Sequence, residues 1–127
     1  MVAAAGNENS SVAFYPAAFP SVVSVSAVGQ TKELAPYSNF GSTISVAAPG
    51  GNMSQDANGD GNVDGVLSTI NASSYAWFQG TSMAAPHVSG VVALMKAIPS
   101  SNINASTFMD KLKRGDLTDR LGAANRD

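Results

Sequence analysis

The stretch over 81–98 constrains the fold more than any other part of the chain. Val88, Val91, Val92, Met95 and Ile98 recur at i, i+3, i+4, i+7 and i+10, while Ala84, Ala85, Ala93 and Ala97 fill the other faces. That period is helical, and a helix apolar nearly all round belongs in the centre of a structure, buried by its neighbours. Pro86 falls in its first turns, where a missing N–H matters less than in the interior, and Pro99 ends it. A second, shorter helix is predicted over 106–113, with Phe108, Met109 and Leu112 on one face.

Ahead of the long helix the chain reads as strands. Residues 1–5 (MVAAA) resemble the end of a buried strand, closed by the turn pair Gly6-Asn7, and begin as if an upstream part were missing. Residues 21–28 (SVVSVSAV) are valine-rich and partly alternating, and 43–48 (TISVAA) form another strand stopped by Pro49-Gly50-Gly51. A hairpin is predicted from 66–71 and 75–79 around Ala72-Ser73-Ser74, and the 52–65 stretch is a polar Gly/Asn/Asp loop. Strands followed by a buried helix point to an α/β protein with one domain over 1–127.

Composition removes several function classes. The 127 residues carry 7 basic and 9 acidic side chains, so there is no basic stripe for nucleic acid. With no cysteine, a disulfide scaffold, a thiolate zinc site and a cysteine nucleophile are excluded. No apolar run reaches the roughly 18 residues that a membrane-spanning helix needs. The sequence starts with no basic-then-apolar leader.

Chemistry concentrates where the long helix begins. Ser82 would hold its hydroxyl beside unsatisfied helix-start amides and the positive end of the helix dipole. Negative charge growing there during acyl transfer would be stabilised. The tripeptide Gly80-Thr81-Ser82 alone reads equally as a helix cap, with Thr81 or Ser82 as the capping residue. The longer string GTSMAAPHVSG over 80–90 decides otherwise: it closely resembles the nucleophile signature of the subtilisin-like serine proteases, the subtilases. Val2-Ala3-Ala4-Ala5-Gly6-Asn7 resembles the family's strand ending in the oxyanion-hole asparagine. Further stretches over 15–28, 44–50, 68–69 and 75–80 match in order and approximate spacing, and the resemblance covers nearly the whole chain apart from 52–64.

The resemblance implies a subtilisin-like fold, a mostly parallel sheet with a central helix starting at the nucleophile. It implies a serine endopeptidase acting on polypeptide substrates through an acyl-enzyme on Ser82. Asn7 would donate its side-chain amide to the oxyanion, assisted by the Ser82 N–H. Ala4, Ala5 and Gly6 would wall the primary specificity pocket, Phe14 would sit at its base or face outward, and Thr81 would lie on the substrate side. Secretion is the family expectation.

A serine nucleophile needs a base and a group to orient that base. The sole histidine, His87, follows Ser82 by five residues on the same helix, roughly 140° round, and so cannot serve it. The family's catalytic Asp and His would lie upstream of residue 1. The chain is therefore expected to be the C-terminal part of a catalytic domain, inactive until the N-terminal half is supplied. An open sheet edge at 2–5 would invite pairing with a second copy, giving a homodimer. The rival readings are a non-catalytic pseudoprotease or binding module, and a calcium-stabilised structural domain.

The 52–65 insertion suggests calcium. Asp56, Asn58, Asp60 and Asp64 stand at relative positions 1, 3, 5 and 9, with Gly61 at 6 and a backbone carbonyl from Asn62 at 7. That order wraps a hard cation, although Leu67 stands at position 12 where a bidentate Glu would complete an EF-hand loop. The same residue types also make an ordinary solvated turn.

Overall fold

The computed structural model describes residues 1–119. Three strands make a parallel sheet in the order β1-β2-β3: β1 Val2–Ala4, β2 Val23–Val28 and β3 Val46–Pro49. Val2 pairs with Val23 and Ala4 with Val25, while Val25 to Val28 pair with Val46 to Pro49. β2 is buried along all six residues, serines included, because it is central and covered on both faces. Its V-S-V-S alternation would by itself suggest one wet face. Small residues make double burial feasible, since Ser24 and Ser26 fit where a larger side chain would not.

Past the end of β1, the segment around residues 35–39 takes over the β2 edge. Ala35 donates its N–H to Ala27 O at 2.9 Å, and the Ser38 hydroxyl accepts from the Ala27 N–H at 2.9 Å. This wedge carries Tyr37 and Asn39 into the loop that follows β1.

Two further strands, β4 Val66–Ile70 and β5 Ser74–Phe78, form the expected antiparallel hairpin, separate from the parallel sheet. Ala72 and Ser73 turn it at φ of +56° and +53°, conformations that cost an L residue about 1–2 kcal/mol each.

Helix α1, Thr81–Ala97, packs against all three strands of the parallel sheet. Its Ala84 and Val88 join Val23, Val25, Ala27 and Ala48 in the core. Close packing on small residues explains the alanine-rich sequence. The other faces differ from the all-round burial that the sequence suggests: Val91, Leu94 and Ile98 are exposed, Leu94 at 72%. One layer covers one stripe of a helix, and among the described elements it is the sheet that packs along this one. Helix α2, Ala105–Arg114, starts at an Asn104/Thr107 capping box and ends at Gly115, whose φ of +72° suits the left-handed cap. It inserts Phe108 into the same core. No helix among the described residues is long and apolar enough to cross a membrane.

Candidate active site

The start of α1 and the end of β1 meet, and a threonine and an asparagine join them. Gly80 is the N-cap, at φ +147°, with no side-chain cap, so Thr81 and Ser82 are the first two helical residues instead of capping ones. Gly80 itself is held by its N–H donating to Gly50 O at 2.9 Å. A side chain on Gly50 would collide with the Ala27 Cβ at 2.5 Å and Gly80 O at 2.8 Å, so glycine there lets the chain before the helix lie flat on the sheet.

Thr81 is fully buried. Its N–H and hydroxyl both donate to Asn7 Oδ1, at 2.9 and 3.0 Å, and its hydroxyl accepts from the Gly6 N–H at 3.2 Å. Asn7, 74 residues away, thereby caps the helix from outside. With Oδ1 doubly engaged, the Asn7 Nδ2 is left facing away from Thr81 as a donor with no partner among the described residues. Thr81, expected on the substrate side, is engaged inward and holds Asn7.

Ser82 lies exposed next to Thr81, on the surface at the helix start. Asn7 is exposed as well. A side-chain hydroxyl, a free amide donor and the positive end of a 17-residue helix thus share one surface. That combination can bind an acyl group's carbonyl and stabilise the oxyanion formed when a hydroxyl attacks it.

The other predicted residues fall around this point. Ala4 ends β1, half-buried; Ala5 is buried, its N–H donating to Val25 O at 2.9 Å. Gly6 turns at φ +109°, and a Cβ there would run into Asn39 Nδ2 and Glu8 Oε2. Phe14 is 48% exposed. His87 is exposed, and its Nδ1–H donates to Met83 O at 2.8 Å, one turn back along its own helix. A cavity of about 610 Å³ is lined by Val46, Val88, Val91, Phe108 and Leu112 and touches neither Ser82 nor Asn7.

Two residues with roles here had no signal in the sequence. The Tyr37 hydroxyl donates to Gly50 O at 2.9 Å and Gly51 O at 2.6 Å, gripping the turn that holds Gly80. Burial pushes its phenol above the ordinary value near 10, partly offset by a hydrogen bond from the Gly80 backbone. Asn39, 2% exposed, bonds the chain on both sides of Asn7. Their partners lie well along the chain, so no local pattern marks them.

The subtilase family model matches residues 1–115. The chain belongs to the subtilase family. It is 44% identical over 103 residues to a thermophilic serine proteinase of Bacillus sp. (strain AK1), covering 81% of this chain and 22% of that protein. It is 39% identical over 116 residues to the major intracellular serine protease of Bacillus subtilis (strain 168), covering 91% of this chain and 31% of the relative. Other relatives, from Xanthomonas campestris and Natrialba magadii, are named extracellular proteases. Among solved structures, a protease from Pseudoalteromonas arctica PAMC 21717 superposes with a TM-score of 0.74 at 43% identity, covering 87% of this chain and 34% of that one. The fold is subtilisin-like, and the chain spans between about a seventh and a third of the length of these relatives.

The insertion of this subtilase forms an exposed loop closed at its base by Asn52 and Asp64. Its carboxylates turn onto the loop's own donors. Asp56 accepts from the N–H groups of Asp60 (3.1 Å) and Gly61 (3.0 Å). Asp60 accepts from the Asn58 amide at 2.8 Å and from the Asn62 N–H at 2.8 Å. Asp64 accepts from the Ala57 N–H at 2.7 Å. The Asn58 amide, with Asn62, holds the Asp60 carboxyl below its usual range. Among the described residues no three His, Cys, Asp or Glu side chains converge as a metal group. Carboxylate and amide oxygens suit a hard cation, but the Asn58 and Asn62 amides are engaged with Asp60, Asn58 on both its nitrogen and its oxygen.

Proposed function

We propose that this chain supplies the nucleophile and the oxyanion hole of a serine endopeptidase. Ser82 attacks the scissile carbonyl; Asn7 Nδ2 and the Ser82 N–H receive the oxyanion; the acyl-enzyme then forms on Ser82. The base and its orienting acid come from the remaining part of a subtilase domain, and the chain alone does not hydrolyse peptides. Ala4, Ala5, Gly6 and Phe14 border the substrate's side chain. The observation that carries this reading is the double hydrogen bond from Thr81 to Asn7 Oδ1. It occupies the amide oxygen and leaves the Nδ2 donor available on the exposed Asn7, at the helix start where Ser82 is also exposed.

Calcium is part of the same proposal. Asp56, Asn58, Asp60, Asn62 and Asp64 would hold it, and the ion would stiffen the loop leading into β4 without entering the chemistry. We also place the protein outside the cell, supported by the relatives named extracellular. The free edge of β1 is proposed to pair with the remainder of the domain, or with a second copy in its absence.

The test is peptide hydrolysis by a single-chain domain in which this segment replaces the corresponding part of the thermophilic Bacillus proteinase. The graft should cleave peptides, Ser82→Ala should abolish cleavage, and Asn7→Ala should lower kcat by about 100–1000-fold. A folded graft without activity, or one indifferent to Ser82→Ala, would sink the reading.

A further inference from the structure

Asn7 is held at its side chain by Thr81, yet a side chain points where its backbone aims it. The backbone around Asn7 is laced to a second loop. Asn39 donates its N–H to Gly6 O at 3.0 Å, Asn9 donates to Tyr37 O at 2.9 Å, and Phe40 donates to Ser10 O at 3.1 Å. At the centre of that lacing is the Asn39 side chain. Its Nδ2 donates to Ala5 O at 2.9 Å and to Glu8 Oε2 at 3.0 Å, and its Oδ1 accepts from the N–H groups of Glu8 at 2.9 Å and Ser10 at 3.2 Å. A carboxamide has two donor hydrogens and two lone pairs, so its whole capacity is used. The partners lie on both sides of Asn7, at 5, 8 and 10, and none is Asn7 itself. Asn39 is also anchored from behind, because residues 35 and 38 bond the edge of β2.

We infer that Asn39 is a positioning residue for the oxyanion hole: it fixes the peptide units flanking Asn7, so that the amide freed by Thr81 stays aimed at the reacting carbonyl. The inference rests on the reading of Asn7 as the oxyanion donor. Only Asn or Gln supplies two donors and two acceptors from one planar group, and the longer Gln would not fit against Gly6, where an added Cβ already meets Asn39 Nδ2. A displacement near 1 Å of a catalytic donor can lower the rate about 100-fold.

A double-mutant cycle in the grafted domain tests this. Asn39→Ala should lower kcat by about 10–100-fold with KM changed less than about threefold, because substrate binding does not use the oxyanion contact. In the Asn7→Ala background the same change should lower kcat by less than about threefold, since there is no donor left to misplace. Asn39→Asp keeps both accepting contacts and the shape but loses the donors to Ala5 O and Glu8 Oε2 and sets a carboxylate against that of Glu8. It serves if Asn39→Ala does not fold, and should lower kcat in the same non-additive way. Folded Asn39 variants with the parent's kcat, or a loss that is undiminished on Asn7→Ala, would overturn this inference and leave the oxyanion reading standing. An Asn7→Ala domain with full kcat would overturn both.

Discussion

Two polar regions of this subtilase are built from nearly the same residue types and do opposite things. The junction of Asn7, Asn39 and Thr81 and the loop around Asp56–Asp64 both rely on short oxygen and amide side chains bonding backbone N–H groups. At the junction the partners are 29 to 75 residues apart and Thr81 and Asn39 are buried. In the loop they are two to seven apart and exposed. A hydrogen bond between distant segments fixes one element against another, and when buried it is costly to leave unmade. A local exposed one shapes a turn that water would solvate nearly as well. The junction can therefore hold a donor at a set place, whereas the loop's bonds shape only the loop itself.

That contrast can be broken or sharpened by substitution. Thr81→Val keeps the shape of a fully buried side chain but strands the Gly6 N–H and removes one bond to Asn7, and should destabilise the fold by about 1–3 kcal/mol in urea titrations. A loss below the scatter of such titrations would mean the junction is as loose as the loop. Tyr37→Phe should cost about 1 kcal/mol at neutral pH by releasing Gly50 and Gly51. Because burial raises the Tyr37 pKa, its contribution is complete below about pH 10 and is lost as pH rises through the folded value. The variant's stability should therefore fall less than the parent's above pH 10, as followed by circular dichroism. A parallel fall in both proteins would contradict this.

In the exposed half of the molecule the effects should be smaller. Ser73→Gly relieves a left-handed φ of +53° at the hairpin turn and should stabilise by up to about 1 kcal/mol. Asp60→Ala should leave the melting temperature unchanged without calcium. With saturating calcium the parent should gain melting temperature and the variant should not. Equal melting curves for the parent with and without the ion would remove calcium from the account.

The sequence made some of this legible and hid the rest for identifiable reasons. The helix at Thr81 and the hairpin around Ala72 and Ser73 rest on period and turn residues within a short window, and both lie within a few residues of where they were expected. The strands were readable from short apolar stretches and their parallel arrangement from the family resemblance, but not that the alternating β2 is buried on both faces, since that depends on what packs over Ser24 and Ser26. Exposure of Leu94 and Ile98 could not be read from apolar period, which reports what a helix is able to bury and not what covers it. Ser82 and Asn7 were visible because a contiguous motif carries each. Asn39 and Tyr37 were not, because they sit in an aperiodic polar stretch and act on residues 13 to 34 positions away.

The central claim is that this chain carries a nucleophile and an oxyanion hole whose activating base lies elsewhere. Fluorophosphonate labelling read by intact mass tests it most directly, on the isolated chain, on the grafted domain and on its Ser82→Ala variant. The expected result is no label on the isolated chain, one label per molecule at Ser82 in the graft, and none in the variant. Labelling of the isolated chain as fast as the graft, or on any residue other than Ser82, would contradict it.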